Sequence, residues 1–242
     1  MSEIQGQRVK KNKAILAKKQ KLKRKRIRRV RMMIAVLIIF TAGLYILRNS
    51  KEVIIGENKI EDTGIMLVNK TYRLEQSYMP EDLVMVDIDF LPEATEEERY
   101  MTKEAARALK KLVNGAAKDG VILTGLSGYR SYETQRNLYN YNIEVNGQSY
   151  TDEYVAPPGG SEHQLGEAMD LATQFGWITE GCPEAQWIAA NAHEYGFIVR
   201  YESGKEDITG YNYEPWHVRY VGEQTAQKIY KNSITLEEYA ER

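Results

Sequence analysis

"SEHQLGEAMDLATQF", Ser161 to Phe175, is the stretch on which the reading of this chain turns. "AMDLAT" (168–173) reads as a strand, yet it carries Asp170. A buried strand excludes a carboxylate unless something pairs with it. His163 stands seven residues earlier, at the end of "DEYVAPPGGSEH", which its Pro-Pro-Gly-Gly marks as a loop. Downstream, "YEPWHVRYVG" (213–222) sets Glu214 and His217 either side of a Pro-Trp pair. The chain has three histidines, and two of them fall in these stretches.

One divalent cation held by His163, Asp170 and His217 accounts for the buried acid, because a dication neutralises it. Catalytic zinc takes three protein ligands and keeps a fourth position open, and two imidazoles with one carboxylate suit Zn²⁺. Glu214, three residues before His217, is then placed to take a proton from a water at the open position. The spacing differs from the His-Glu-x-x-His helix of common zinc proteases. Each residue alone has a plainer reading: a hydrogen-bonded structural histidine, an aspartate capping a turn, a Glu-Pro-Trp packing corner. His193, near a helix C-terminus, is assigned to the macrodipole and left out of the site.

Outward from this stretch, "ATEEERYMTKEAARALKKLVNGAAKDG" reads as a helix, with Thr95 and Glu98 as a capping box and Met101, Ala105, Leu109 and Leu112 as its buried stripe. "VILTGLSGYR" is a buried strand that delivers Arg130 at its end. Further helices open at Ser131, at Pro183 and in "GEQTAQKIY", and "FIVRY" and "WHVRY" are strands. Helices and strands mix without a regular βαβ rhythm, which points to α+β. Cys182 is the sole cysteine, so no intramolecular disulfide forms, and a packing role is the plainer one for it.

Charge divides the chain. Fourteen of its 33 Lys and Arg lie in residues 1–31 beside one acid, Glu3, and the remainder is strongly acidic. "MMIAVLIIFTAGLYIL", Met32 to Leu47, is uncharged and spans about 24 Å as a helix, which snorkelling of Arg31 and Arg48 extends toward the ~30 Å hydrocarbon core. The expected organisation is a basic cytoplasmic segment (1–31), an uncleaved transmembrane signal-anchor helix (32–48), a polar stalk (49–63) and an extracytoplasmic domain (64–242). Beside a membrane span the basic run reads as an orientation signal for anionic lipid, so no nucleic-acid partner is expected. The catalytic domain is expected to be monomeric.

"SEHQLGEAMD" resembles the S-x-H-x-x-G-x-A-x-D motif, and "EPWH" the E-x-W-H motif, of the VanY-type D-alanyl-D-alanine carboxypeptidases. That family includes L,D-carboxypeptidases of the LdcB type and, more distantly, D-Ala-D-Ala dipeptidases. "LVNKTYRLEQSYMPEDLV" resembles its domain start and "SGYRSYETQ" its arginine-bearing segment, so the likeness runs from about Gly64 to Tyr230. It implies the α+β fold shared with the hedgehog signalling domain, an antiparallel sheet flanked by helices. It implies one Zn²⁺ on His163, Asp170 and His217, and Glu214 as base. Arg130 matches the arginine that polarises the scissile carbonyl, and Ser161 and Gln135 match positions that hold the terminal D-alanine. Trp216 is expected to wall the pocket or pack in the core. The plainer alternatives are a surface ion pair for Arg130 and satisfaction of local backbone for Ser161 and Gln135. The implied activity is removal of the C-terminal D-alanine from peptidoglycan stem peptides, D,D or L,D. The alternatives are a D-Ala-D-Ala dipeptidase and a non-catalytic zinc-containing wall-binding module.

Overall fold

Side-chain alternation along strand β6 (Ala168–Thr173) builds the sheet. Met169 and Leu171 enter the main core, while Asp170 turns to the opposite face. A computed structural model describes residues 53–241 apart from Glu57 and Asp62. The expected cytoplasmic segment (1–31) and membrane helix (32–48) lie outside the described residues. No helix among the described residues is long and apolar enough to cross a membrane.

The central sheet is antiparallel in the order β5 (Thr124–Ser127), β6, β9 (His217–Tyr220), β8 (Phe197–Val199), with the short β7 (Gly176–Trp177) paired to the end of β6. Helix α1 (Lys103–Lys118) covers one face: Ala105, Leu109, Leu112 and Ala116 pack with Met169, Leu171, Phe197 and Val218. The other helices are α2 (Tyr132–Asn146), α3 (Gln148–Tyr154), α4 (Pro183–Asn191), α5 (Glu206–Thr209), α6 (Glu223–Asn232) and α7 (Leu236–Ala240). The class is α+β, as expected.

Three boundaries differ from the sequence reading. The Thr95–Glu98 capping box forms, but it opens only a 3₁₀ turn, Glu97–Arg99. The chain then runs extended as β4 (Tyr100–Thr102) against β3 (Leu83–Met85), so α1 begins at Lys103 and Met101 is buried from a strand. Pairing with β3 overrides a helix-compatible pattern. Second, residues 152–154 end helix α3, and the loop begins at Val155. Third, the described part of the expected stalk is built into the domain. β1 (Ile54–Ile55) pairs in parallel with β2 (Tyr72–Arg73), and Ile60 is buried with Leu67, Ile198 and Leu236.

Candidate metal centre

Asp170 and His217 are directly opposed across β6 and β9, and Ser127 of β5 opposes Asp170 on its other side. The sheet thus presents both side chains on the face away from α1. His163 comes from a 3₁₀ turn, Glu162–Leu165, that ends at Gly166 in the left-handed conformation (φ 66°) before β6 starts. The three residues bring one ligand atom each to within 4.8 Å of one another, and all three are buried. The imidazole rings meet edge to face at 5.0 Å.

Hydrogen bonds decide which ring nitrogens face inward. His163 Nδ1 donates to the Gly128 carbonyl at 2.6 Å, leaving Nε2 toward Asp170 Oδ2 at 3.5 Å. His217 is turned the other way, with Nδ1 3.0 Å from Asp170 Oδ1. Ligands about 2.1 Å from a tetrahedral ion stand about 3.4 Å apart, and the three ligand atoms, all within 4.8 Å of one another, need only a small inward shift to close on one Zn²⁺. Asp170 Oδ1 is buried without a hydrogen-bond partner, as expected of an atom that belongs to a cation. Electrostatics agree. Burial, then the Arg130 charge, lower the pKa of His163 and favour the neutral, ligating imidazole. Burial opposes ionisation of Asp170, but the two histidines prevail and hold it well below the carboxylate range. For His217 burial works against protonation, yet Asp170 and Glu162 lift it to about 9 in the absence of a cation.

Glu214 precedes a tight turn in which His217 N donates to the Glu214 carbonyl at 3.2 Å. Its Oε2 stands 3.8 Å from His217 Nδ1, on the rim of the ligand set. Burial pushes its carboxyl up to about 7, with Asp170 and Glu162 adding to the rise and His217 and Arg130 opposing it. A carboxyl that titrates near neutrality suits proton transfer in both directions. The sole cysteine, Cys182, does not line the cleft. It caps α4, its Sγ accepting from Ala185 N at 3.4 Å.

The cleft over these residues has a volume of about 170 Å³ and is also lined by Arg130, Gln135, Ser161, Trp216, Trp177, Tyr201 and Tyr211. The eight residues assigned to the site from the sequence therefore meet in one place. Arg130 follows β5, and its backbone N donates to the His163 carbonyl at 3.2 Å. Its Nε is buried and unpaired, which sets it apart from a surface ion pair. Gln135, 1 % exposed, donates Nε2 to the Ala156 carbonyl at 2.7 Å and keeps an unpartnered Oε1. Trp216 both packs on the core and meets Trp177 edge to face at 5.5 Å.

Residues 98–223, just over half the chain, match the family VanY: D-alanyl-D-alanine carboxypeptidase. The chain belongs to this family. YodJ of Bacillus subtilis, a carboxypeptidase by name, is 45% identical over 187 residues, covering 74% of this chain and 67% of that protein. A D-alanyl-D-alanine carboxypeptidase of Enterococcus faecium is 35% identical over 198 residues, and the match covers 79% of this chain but only 62% of that one. Among solved structures, the LdcB LD-carboxypeptidase superposes with a TM-score of 0.69 at 40% identity, over 79% of this chain and 98% of LdcB. A VanY D,D-pentapeptidase mutant in complex with Zn(II) gives 0.59 at 33% identity, over 72% and 97%.

Against this family frame, the sequence reading overlooked the acid inside its own motif. Glu162 is fully enclosed and meets Arg200 and Arg219 behind His217. The signal was present: "FIVRY" and "WHVRY" each put an arginine into a strand, and a buried guanidinium demands a carboxylate. Tyr201 and Tyr211 on the cleft wall carry no comparable signal.

Proposed function

We propose that this chain is a zinc-dependent carboxypeptidase that removes the C-terminal D-alanine from peptidoglycan stem peptides, of D-Ala-D-Ala or L,D type. The observation that carries it is the convergence of His163, Asp170 and His217 with the buried, unpartnered Nε of Arg130 and the enclosed Glu214 carboxyl on one small cleft. A closed structural site has no use for either group. The names of the relatives support the substrate class: the E. faecium protein is a D-alanyl-D-alanine carboxypeptidase, and a bifunctional D-Ala-D-Ala dipeptidase and carboxypeptidase of Enterococcus gallinarum is 36% identical.

His163, Asp170 and His217 would hold the zinc, which when bound supplies Lewis acidity that acidifies a water and polarises a carbonyl. Glu214 takes the proton of the attacking water as its oxygen bonds to the scissile carbonyl carbon. It then passes that proton to the departing amine as the C–N bond breaks, releasing free D-alanine. The Arg130 guanidinium offers a rigid fork to the oxygen that gains charge. Ser161 and the free Oε1 end of Gln135 line the subsite for the terminal residue, with Trp216 as its wall. The same reading places the domain outside the cell, tethered as a monomer by helix 32–48 with residues 1–31 in the cytoplasm. The basic-then-apolar order of that segment supports it.

The test is to incubate the purified full chain with defined tetrapeptide and pentapeptide stems and weigh the products. Loss of one D-alanine, abolished by chelation and by Glu214→Gln, is the expected result, and the stem that is shortened separates L,D from D,D cleavage. Cleavage of free D-Ala-D-Ala with stems left intact would favour the dipeptidase instead.

A further inference from the structure

Glu162 takes no part in the reaction just described, yet it is the most heavily contacted acid beside the metal centre. It is 1 % exposed. Its Oε1 accepts from Arg200 Nε at 2.7 Å and lies 3.1 Å from Arg219 Nη1. Its Oε2 faces His217 Nε2 at 3.5 Å, and neither of these two buried atoms has any other hydrogen-bond partner. Behind it, Arg200 grips Glu237 of α7 with both terminal nitrogens, at 2.9 and 2.6 Å, and Asn69 Nδ2 donates to the same carboxylate at 3.1 Å. Arg219 is tied in turn to Glu167 at 2.7 Å and to the Met66 carbonyl at 3.1 Å. Asn69, Met66 and Glu237 all lie outside residues 98–223.

We propose that Glu162 is the positioning residue of the metal centre. Its Oε2 accepts Nε2–H of His217 and thereby holds that imidazole in the tautomer whose Nδ1 lone pair faces Asp170 and the ion. The inference rests on the reading of His163, Asp170 and His217 as zinc ligands. Its logic is that a histidine ligand is oriented by whatever its second nitrogen bonds. For His163 that partner is the Gly128 carbonyl. For His217, turned the opposite way, the carboxylate of Glu162 is the group that faces Nε2 among the described residues. At 3.5 Å the contact is longer than a formed hydrogen bond, and a sub-ångström swing of the ring closes it. Glu162 itself has no freedom to swing away, because Arg200 and Arg219 clamp it and Glu237 anchors Arg200. The rival account makes Glu162 a mere counter-ion to two buried arginines. That account predicts a cost in stability and no change in zinc binding or in the His217 tautomer.

Two measurements on the full chain separate the accounts: zinc affinity by competition with a chromophoric chelator, and ¹⁵N-histidine NMR of the zinc form. The wild type is expected to show His217 protonated on Nε2. Glu162→Gln is expected to weaken zinc binding about 10–100-fold, the range for loss of an outer-shell partner. Glu237→Gln, which touches no ligand, is expected to lower thermal stability and to weaken zinc binding far less. Should Glu162→Gln fail to fold, the Nε2–H proton of wild-type His217 decides: a downfield, slowly exchanging resonance is expected of a proton bonded to the Glu162 carboxylate, and a resonance without those marks overturns the proposal. Zinc bound by folded Glu162→Gln as tightly as by wild type, or His217 ligating through Nε2, overturns the proposal and leaves the metal reading intact. A wild-type chain that binds no zinc overturns both.

Discussion

Glu214 and Arg130 divide the labour that the ligands cannot perform. Glu214 is enclosed enough for burial to push its carboxyl up to about 7, and its Oε2 stands 3.8 Å from His217 Nδ1 at the edge of the ligand set. Glu214→Gln keeps the shape and removes the proton acceptor, so kcat is expected to fall by about 10²–10⁴-fold with KM and zinc content little changed. Steady-state kinetics beside elemental analysis check this, and retained kcat would remove Glu214 from its role. Arg130 presents a fork rather than a point charge, so Arg130→Lys is expected to recover little of the roughly 10²–10³-fold loss of Arg130→Ala. Recovery by lysine to near wild-type kcat would make the role one of charge alone. At this scale the sequence was highly legible. His163, Asp170, His217 and Glu214 are types that carry chemistry, and two of the three histidines sat in motif contexts. Glu162 escaped because an acid next to a ligand reads as ordinary until the arginines that enclose it are placed.

Among the elements, β5 shows how local packing serves the site. Gly128, just beyond its end, holds His163 through its carbonyl. A Cβ there would stand 2.6 Å from the Tyr100 carbonyl oxygen, 2.7 Å from that of Glu98 and 2.9 Å from Met169 Cε. Backbone atoms cannot yield as a flexible side chain does, so Gly128→Ala is expected to cost about 1–3 kcal/mol of stability. It should also displace the carbonyl that orients His163, and weaken zinc binding with it. Denaturant titration and chelator competition read the two effects, and an alanine variant that matches wild type in both would show that the contact is slack. Helix α1 carries the contrary lesson about legibility. Ala105, Leu109 and Leu112 form its buried stripe as read, but its start was misplaced and Met101 belongs to a strand, because strand pairing between Tyr100–Thr102 and Leu83–Met85 is a contact between segments that local pattern does not report. Helix α2 had no such competitor and opens at Ser131 as the sequence indicated, the Ser131 side chain accepting from Thr134 N.

At the scale of the molecule, a buried ionic chain joins the catalytic face to the C-terminal helix. Glu162, Arg200 and Glu237 lie 38 and 37 residues apart in sequence, too far for any spacing rule to pair them. The arginines were visible in the strands, but their partners were not. The same distance kept residues 53–60 out of the expected domain, since Ile60 finds its partners at Ile198 and Leu236. The chain has a consequence for acid stability. Burial alone would raise the pKa of Glu237, but the Arg200 guanidinium, with help from Asn69, holds it below its usual 4.5. A carboxyl depressed in the folded state stabilises the fold above its unfolded pKa, and that contribution disappears as pH falls through and below 4.5. The urea midpoint of the wild type is therefore expected to drop more steeply between about pH 6 and pH 3 than that of Glu237→Gln, because the variant has already lost the term. Parallel curves would mean that the ion pair contributes nothing across that range.

The claim on which everything else stands is that one zinc ion sits among His163, Asp170 and His217, and metal content is its most direct test. Elemental analysis of the full chain, purified without chelator and then of the Asp170→Ala variant prepared identically, should find one zinc per wild-type chain and essentially none in the variant. A folded wild-type chain that carries no zinc when the metal is supplied, or an Asp170→Ala variant that retains it in full, would contradict the account.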